Sequence, residues 1–482
     1  MPLPAGQRPG RTADMMSDAM EGDLHHAWSE SDRFVPRVFV RPLQRFMEIE
    51  AAGGAIMMVA AVMAMVWANS PWQAGYEALW ETRLDLGLGE LVHVDLTLRQ
   101  WVNDGLMTIF FFVVGLEIKR ELVVGELRDP RAAALPAIAA LGGMAVPAVI
   151  YLAFNAGHAG AKGWGIPMAT DIAFVVGVVS LLGRRVPAGG KLFLLTLAIV
   201  DDLGAIAVIA IFYTSGLSLA WVAVALVAVA AAAYLTRIRV RSQVPYIVLA
   251  VACWYSLHES GVHATIAGVA FGLVCPPWSF YDPRRFAERA RPIVDMIEGA
   301  YRDPSVAGAG HQESQSSLHE LNRLATESVS PLERNEHRLA PWVGFVIVPV
   351  FALANAGVQL GGANFGRIAL GVATALVVGK TLGVFGATWL AVRLGIGRLP
   401  SATSWGVMVG LAMCAGIGFT VALFVAGLSF DVAAMTDEAK IGILAGSLAA
   451  GVAGYTWLRL ASRGRPDLVV EEMDVAGSRP SA

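Results

Sequence analysis

Four charged residues lie where charge is expensive. Asp201 and Asp202 are adjacent in the middle of about twenty otherwise apolar residues, Leu192 to Phe212, a run long enough to cross a bilayer as a helix. Asp171 and Lys380 interrupt two further apolar runs. A charge at bilayer depth costs roughly 3 kcal/mol, so four unpaired would cost about 12 kcal/mol, comparable to a whole protein's stability. Pairing Lys380 with one acid lowers that cost and leaves two acids over. The surplus points to function. Two carboxylates about 6 Å apart repel by roughly 3 kcal/mol at an effective dielectric of about 20, and either a proton or a small hard cation relieves the repulsion. Oxygen ligands suit Na+ or Li+, and a threonine hydroxyl with freed backbone carbonyls completes such a shell. Competition for one site, combined with alternating access, gives cation/proton exchange.

The residues around these charges predict how they are positioned. In Gly163-Trp-Gly-Ile-Pro-Met-Ala-Thr-Asp171, Pro167 removes a backbone donor, and Thr170-Asp171 resembles the cap that starts a second half-helix. Irregular backbone at membrane depth is tolerated only beside protein or a watery cavity. Met413-Cys-Ala-Gly-Ile-Gly-Phe-Thr-Val421 is a matching interruption near the other end, with Gly416, Gly418 and Thr420. Two interrupted helices in corresponding places mark a midplane site and inverted repeats.

The whole chain suits such a site. Of 482 residues, 56% are hydrophobic and 16% charged, against about 25% charged in soluble domains. Apolar segments at about 47–69, 97–123, 133–154, 164–182, 191–213, 218–236, 244–258, 261–275, 341–359, 366–393, 404–428 and 439–460 predict an all-α polytopic membrane protein of twelve spans. Spans 4 and 11 are the interrupted ones, and spans 3–5 are expected to mirror spans 10–12. Arginines and lysines crowd every second connection, including 33–45, 119–131, 184–191, 237–241, 284–338 and 393–398, whereas Lys162, Arg367 and Lys440 are almost alone in the others. That bias predicts cytoplasmic termini. The expected organisation is a partly disordered cytoplasmic tail (1–45), spans 1–8 (46–275), a polar cytoplasmic loop (276–335), spans 9–12 (336–462) and a cytoplasmic tail (463–482). The first 32 residues lack the apolar core of a signal peptide, and His25-His26 has no partnering ligand.

Residues 82–96 alternate apolar and polar around a Gly-rich centre, the pattern of an extracytoplasmic β-hairpin with His93 on its surface. Such a hairpin could form a homodimer contact. Cys253, Cys275 and Cys414 are scattered through apolar segments as inert thiols. The net charge of −3 gives no reason to expect nucleic acid as a partner, and no cofactor or resident metal is expected.

Seven segments resemble the NhaA-type sodium/proton antiporters of bacterial inner membranes: Val114-Gly-Leu-Glu-Ile-Lys-Arg-Glu121, Ala169-Thr-Asp-Ile-Ala-Phe174, Ile199-Val-Asp-Asp-Leu-Gly-Ala205, Ser260-Gly-Val-His-Ala-Thr265, Phe351-Ala-Leu-Ala-Asn-Ala-Gly357, Gly379-Lys-Thr-Leu-Gly383 and Cys414-Ala-Gly-Ile-Gly-Phe-Thr420. The family is a type case of inverted repeats with broken helices, so the repeat reading is not independent of the resemblance. The resemblance implies electrogenic exchange of more than one proton per Na+ or Li+, activation at alkaline pH and a role in Na+ and pH homeostasis. It implies that Asp202 is the principal cation ligand and Asp201 its partner in proton traffic and the counter-ion of Lys380. Asp171, with Thr170, compensates the break in span 4. Glu117, Glu121, His263, Glu336 and His337 match positions linked to pH response. The family's second histidine before span 9 is Ala340 here, and the preceding loop is longer, so the departures lie at the cytoplasmic mouth. A passive channel would use the same acids without coupling, but buried charges beside broken helices suit alternating access better than a continuous pore. A non-transporting receptor leaves the charges without a purpose.

Overall fold

A computed structural model describes residues 52–88, 92–214, 216–302, 309–359, 361 and 365–462. The expected tails and His25-His26 lie outside these residues, wholly or in part. The chain is mostly helical, with one antiparallel hairpin of β1 (Arg83–Leu88) and β2 (Val92–Thr97). Its register sets Asp85 opposite Asp95 and Gly87 opposite His93, and Arg83 forms an ion pair with Asp95 across the strands.

Six continuous helices among the described residues are long and apolar enough to cross a bilayer: α4 (Pro130–Asn155), α6 (Ala188–Phe212), α7 (Leu219–Arg237), α12 (Pro331–Asn355), α13 (Arg367–Arg393) and α16 (Ala433–Ala461). Three bent pairs raise the number to nine: α1 (Ala52–Ala68) with α2 (Gln73–Glu81), a tight 3-10 segment (Ala159–Met168) with α5 (Ile172–Ser180), and α14 (Trp405–Cys414) with α15 (Phe419–Ser429). The remaining apolar segments fold as α3 (98–123), α8 (Val244–Ser260) and α9 (Ile266–Val274). Among the described residues the structure thus supports six to nine membrane-crossing candidates, and the twelve expected are not confirmed.

Helix α2 was not anticipated. It leaves α1 at 114°, and Tyr76 and Trp80, one turn apart, bury its inner face. The stretch expected as a polar loop also differs. It contains α10 (Pro283–Arg302) and α11 (Ala309–Ser328), which pack on each other, and α12 starts at Pro331 with the Ser330 hydroxyl accepting the Glu333 N–H at 3.1 Å. The charged composition hid buried positions, Ser317 and Leu324 two turns apart on α11 and Ile293 on α10. Lys440, expected in an outer loop, lies instead on α16 and is 5% exposed. Its neighbours Asp437 and Glu438 made the helix start look like a connection.

Close helix contacts hold the bundle. A Cβ on Gly272 of α9 would meet backbone atoms of Phe112 and Gly115 on α3 at 2.7 Å. Overpacking a contact between two backbones costs about 1–3 kcal/mol. Gly272→Ala is therefore expected to lower Tm measurably in detergent, while Gly75→Ala, inside α2 where the added methyl meets nothing within 4 Å, holds or slightly raises it. All three cysteines are buried and free.

Candidate ion-binding site

Asp201 and Asp202 stand midway along α6 and are 0% and 3% exposed. Successive residues on a helix point about 100° apart, so the two carboxylates diverge. Asp201 turns toward α13, where its Oδ2 forms an ion pair with the Lys380 ammonium. Lys380 follows a widened π-helical turn, Ala375–Gly379, and its side chain is wholly buried. Such turns inside a helix are frequent at functional sites. The ammonium also donates to the Thr170 hydroxyl at 3.1 Å. That hydroxyl has one proton and two acceptors in reach, Asp201 Oδ2 at 2.7 Å and the Ala415 carbonyl at 2.9 Å. Thr170 thus links Asp201 to the break between α14 and α15.

The two breaks cross each other. Ala169 to Asp171 run extended between the 3-10 segment and α5, bent by 46°, and residues 415–418 separate α14 and α15, bent by 44°. The Asp171 N–H donates to the Ile417 carbonyl at 2.7 Å. A Cβ on Gly418 would meet the Ala169 carbonyl at 2.9 Å, so glycine there admits the crossing, and one on Gly416 would strike the Leu376 carbonyl of α13. Asp171 serves two helix starts at once. Its Oδ1 accepts the Phe174 N–H of α5 at 3.0 Å, and its Oδ2 accepts the N–H and hydroxyl of Thr420 on α15 at 2.9 and 2.6 Å. One carboxylate faces the positive ends of both half-helices. A hydrogen bond to an ionised acceptor contributes about 1.5–3 kcal/mol. Thr420→Val is expected to lower Tm accordingly in thermal unfolding, with Thr420→Ser restoring most of the loss.

Asp201 Oδ1 and Asp202 Oδ1 are buried without a hydrogen-bond partner. Unsatisfied carboxylate oxygens in a core are costly, and either a proton or a small cation can satisfy them. Among the described residues no three His, Cys, Asp or Glu side chains converge on a metal position. A cation here would draw on two carboxylates, hydroxyls and carbonyls, a donor set suited to weak, exchangeable binding of a hard monovalent ion.

Sequence reasoning missed Ser447. Its hydroxyl on α16 accepts the Gly418 N–H at 3.3 Å inside the core. The only available signal was a hydroxyl in the otherwise apolar run 441–453. The other singled-out residues are dispersed. Glu117, half-buried on α3, is near enough for its charge to act on Asp202. Glu121 accepts the Glu126 N–H at 3.1 Å. Glu336 on α12 pairs with Arg120 at 2.5 Å, and His337 beside it is exposed. His263, between α8 and α9, contacts the Tyr213 carbonyl through Nε2 at 2.9 Å, so that nitrogen carries the proton.

The family model described as Na+/H+ antiporter 1 matches residues 44–458. The chain belongs to this family. Among curated members of the Na+/H+ antiporter 1 family, the Na(+)/H(+) antiporter NhaA of Anaeromyxobacter sp. is 48% identical over 444 residues, covering 91% of this chain and 95% of its own length. The protein of the same name from Oleidesulfovibrio alaskensis is 47% identical, covering 88% and 95%, and that from Rhodopirellula baltica is 46% identical, covering 86% and 93%. These relatives are transporters rather than catalytic enzymes. Membership in this antiporter family, together with the apolar helices, makes the chain a multi-pass membrane protein. The described parts of both breaks, the α6 carboxylates and Lys380 all lie inside the matched span.

Proposed function

We propose that this protein expels Na+ or Li+ from the bacterial cytoplasm in exchange for protons by alternating access. The observation that carries the reading is the pair of partnerless carboxylate oxygens on α6, held beside a buried lysine and two crossed helix breaks. Asp202 is the principal cation ligand. It has no ammonium partner among the described residues, so a cation or a proton supplies its compensation. Asp201 alternates between Lys380 and a proton, and Thr170 passes the change to the Ala415 carbonyl. Asp171 keeps the two positive helix ends neutral throughout. With two acids releasing protons for each monovalent cation bound, the exchange moves net charge.

In this reading α3, α8 and α9 complete twelve spans with both termini in the cytoplasm. The segment 130–212 mirrors 367–461, each with one broken span between two continuous helices, and α4 packs on α6 as α13 packs on α16. Glu117, Glu121, Glu336 and His337 set the response to cytoplasmic pH at the mouth, with His263 acting from the other side. The hairpin offers an edge for a second copy.

Proteoliposomes with an acid interior test the exchange. Adding Na+ outside should collapse the pH gradient. Sodium flux with an unchanged gradient would identify a channel and overturn the antiporter reading.

A further inference from the structure

A cleft of about 1000 Å³ opens where α11 and α12 meet the ends of α3 and α8. Four arginines line it, Arg120, Arg241, Arg334 and Arg338, against two glutamates, Glu333 and Glu336. Two of the arginines are already compensated: Arg120 pairs with Glu336 at 2.5 Å, and Arg241 pairs with Glu327 of α11 at 2.8 Å. Arg334 and Arg338 have no carboxylate partner among the described residues. They are one turn apart on α12 and share a face. Arg334 donates one guanidinium N–H to the Thr326 carbonyl at 3.2 Å, while its Nε is buried without an acceptor. His337 adds a further donor to the same lining.

A cavity, an uncompensated pair of guanidiniums and a buried orphan donor together call for an anion with several oxygens. We propose that this cleft binds a phosphate group. A guanidinium fork matches phosphate oxygens two at a time, so one phosphate can satisfy both arginines and the Arg334 Nε–H. The lone uncompensated acid, Glu333, weakens the site without cancelling two guanidiniums. Thr326 and Val329, from the end of α11 and the turn after it, complete the walls. A bound phosphate would fasten α11 to the first turns of α12, the helix whose Glu336 reaches Arg120 on α3. That the phosphate comes from the cytoplasmic side rests on the proposed orientation. The binding itself does not.

Phosphate of this kind is carried by soluble ions or by lipid headgroups, and one experiment separates them. The full chain is placed in phosphatidylcholine nanodiscs and titrated with inorganic phosphate at constant ionic strength, with chloride as the control. A ligand selective for the native state raises Tm in a saturable way. A saturable rise in phosphate and none in chloride is expected, with the half-saturating concentration raised at least tenfold in Arg334→Gln. Arg338→Gln provides the second variant should the first fold poorly, and its Na+-driven exchange in phosphate-free buffer should match wild type. With phosphatidylglycerol added to the discs, a lost phosphate response assigns the site to the headgroup and a retained one to the soluble ion. No saturable shift with either phosphate source, an equal shift in chloride, or a wild-type response in both variants overturns the proposal.

Discussion

Replacing Asp202 with asparagine should reduce Na+-dependent proton movement at least a hundredfold while leaving the fold as stable as before or more so. The two halves of this expectation have the same cause. Asp202 is 3% exposed, has one carboxylate oxygen without a partner, and feels the like charges of Asp201, Asp171 and Glu117. An amide of the same shape removes that repulsion, roughly 3 kcal/mol for a neighbour about 6 Å away, so Tm should hold or rise. The same amide cannot bind and release a proton, and it offers a cation a dipole where a full charge stood. A loss of roughly 3 kcal/mol in ligand attraction is about a hundredfold in affinity. Exchange is read from the decay of an acid-interior gradient on addition of Na+, and stability from thermal unfolding in detergent. Asp202→Glu keeps the charge one methylene further out and should retain partial exchange with a higher apparent KM for Na+. Substantial Na+-dependent proton movement in Asp202→Asn would show that the cation is held elsewhere, with Asp201 the next ligand to test.

The pairing of lost transport with retained stability separates function from architecture at this position. A structural acid, such as Asp171 with its three donors, behaves in the opposite way, because its removal leaves two helix starts without their acceptor. Both acids are buried and both interrupt apolar runs, yet one is saturated with hydrogen bonds and the other is short of them. In the proposed mechanism that difference gives them different tasks.

What could be read from the residues alone followed from anomaly. Asp201, Asp202, Asp171 and Lys380 were visible because each violates an apolar background whose cost is known, and Pro167, Gly416 and Gly418 because they break helices. The polar stretch before α12 was opaque for the converse reason. In α10 and α11 charged residues are ordinary, and the positions described as buried, Ile293, Ser317 and Leu324, are too widely spaced to announce helices. The last span was drawn from 439, just past Asp437 and Glu438, with Lys440 counted at its outer end, whereas α16 begins at Ala433 and carries all three charges inside it. Glu438 has a task there, accepting the Ile368 N–H at 2.8 Å and so capping α13 from a neighbouring helix. Ser447 illustrates a third limit. A serine in a membrane helix commonly bonds its own preceding turn, and nothing in the sequence says that this one meets Gly418 across the bundle.

Lys380→Met should be the most destabilising single change at the site, and adding Asp201→Asn should restore most of the loss. Lys380 and Asp201 are both wholly buried and paired, and Thr170 is bonded to each. Removing the lysine alone strands a carboxylate in the core, at about 3–5 kcal/mol. Removing both leaves a neutral pair of similar volume, which cores tolerate at little cost. The four proteins form a double-mutant cycle whose coupling in thermal unfolding is expected to be at least about 2 kcal/mol. Additive effects would mean that the two charges stand independently and that the pair holds nothing together. The doubly substituted protein also bears on transport. With Asp202 as its one remaining α6 acid, it should exchange one proton per Na+, so that imposing a potassium diffusion potential with valinomycin no longer alters its rate. The wild type, which in the proposed mechanism trades protons at two acids for one cation, should remain voltage-sensitive. A voltage-sensitive double variant would place the second proton on another group, and Glu117, the next acid near enough to act on Asp202, is where to look.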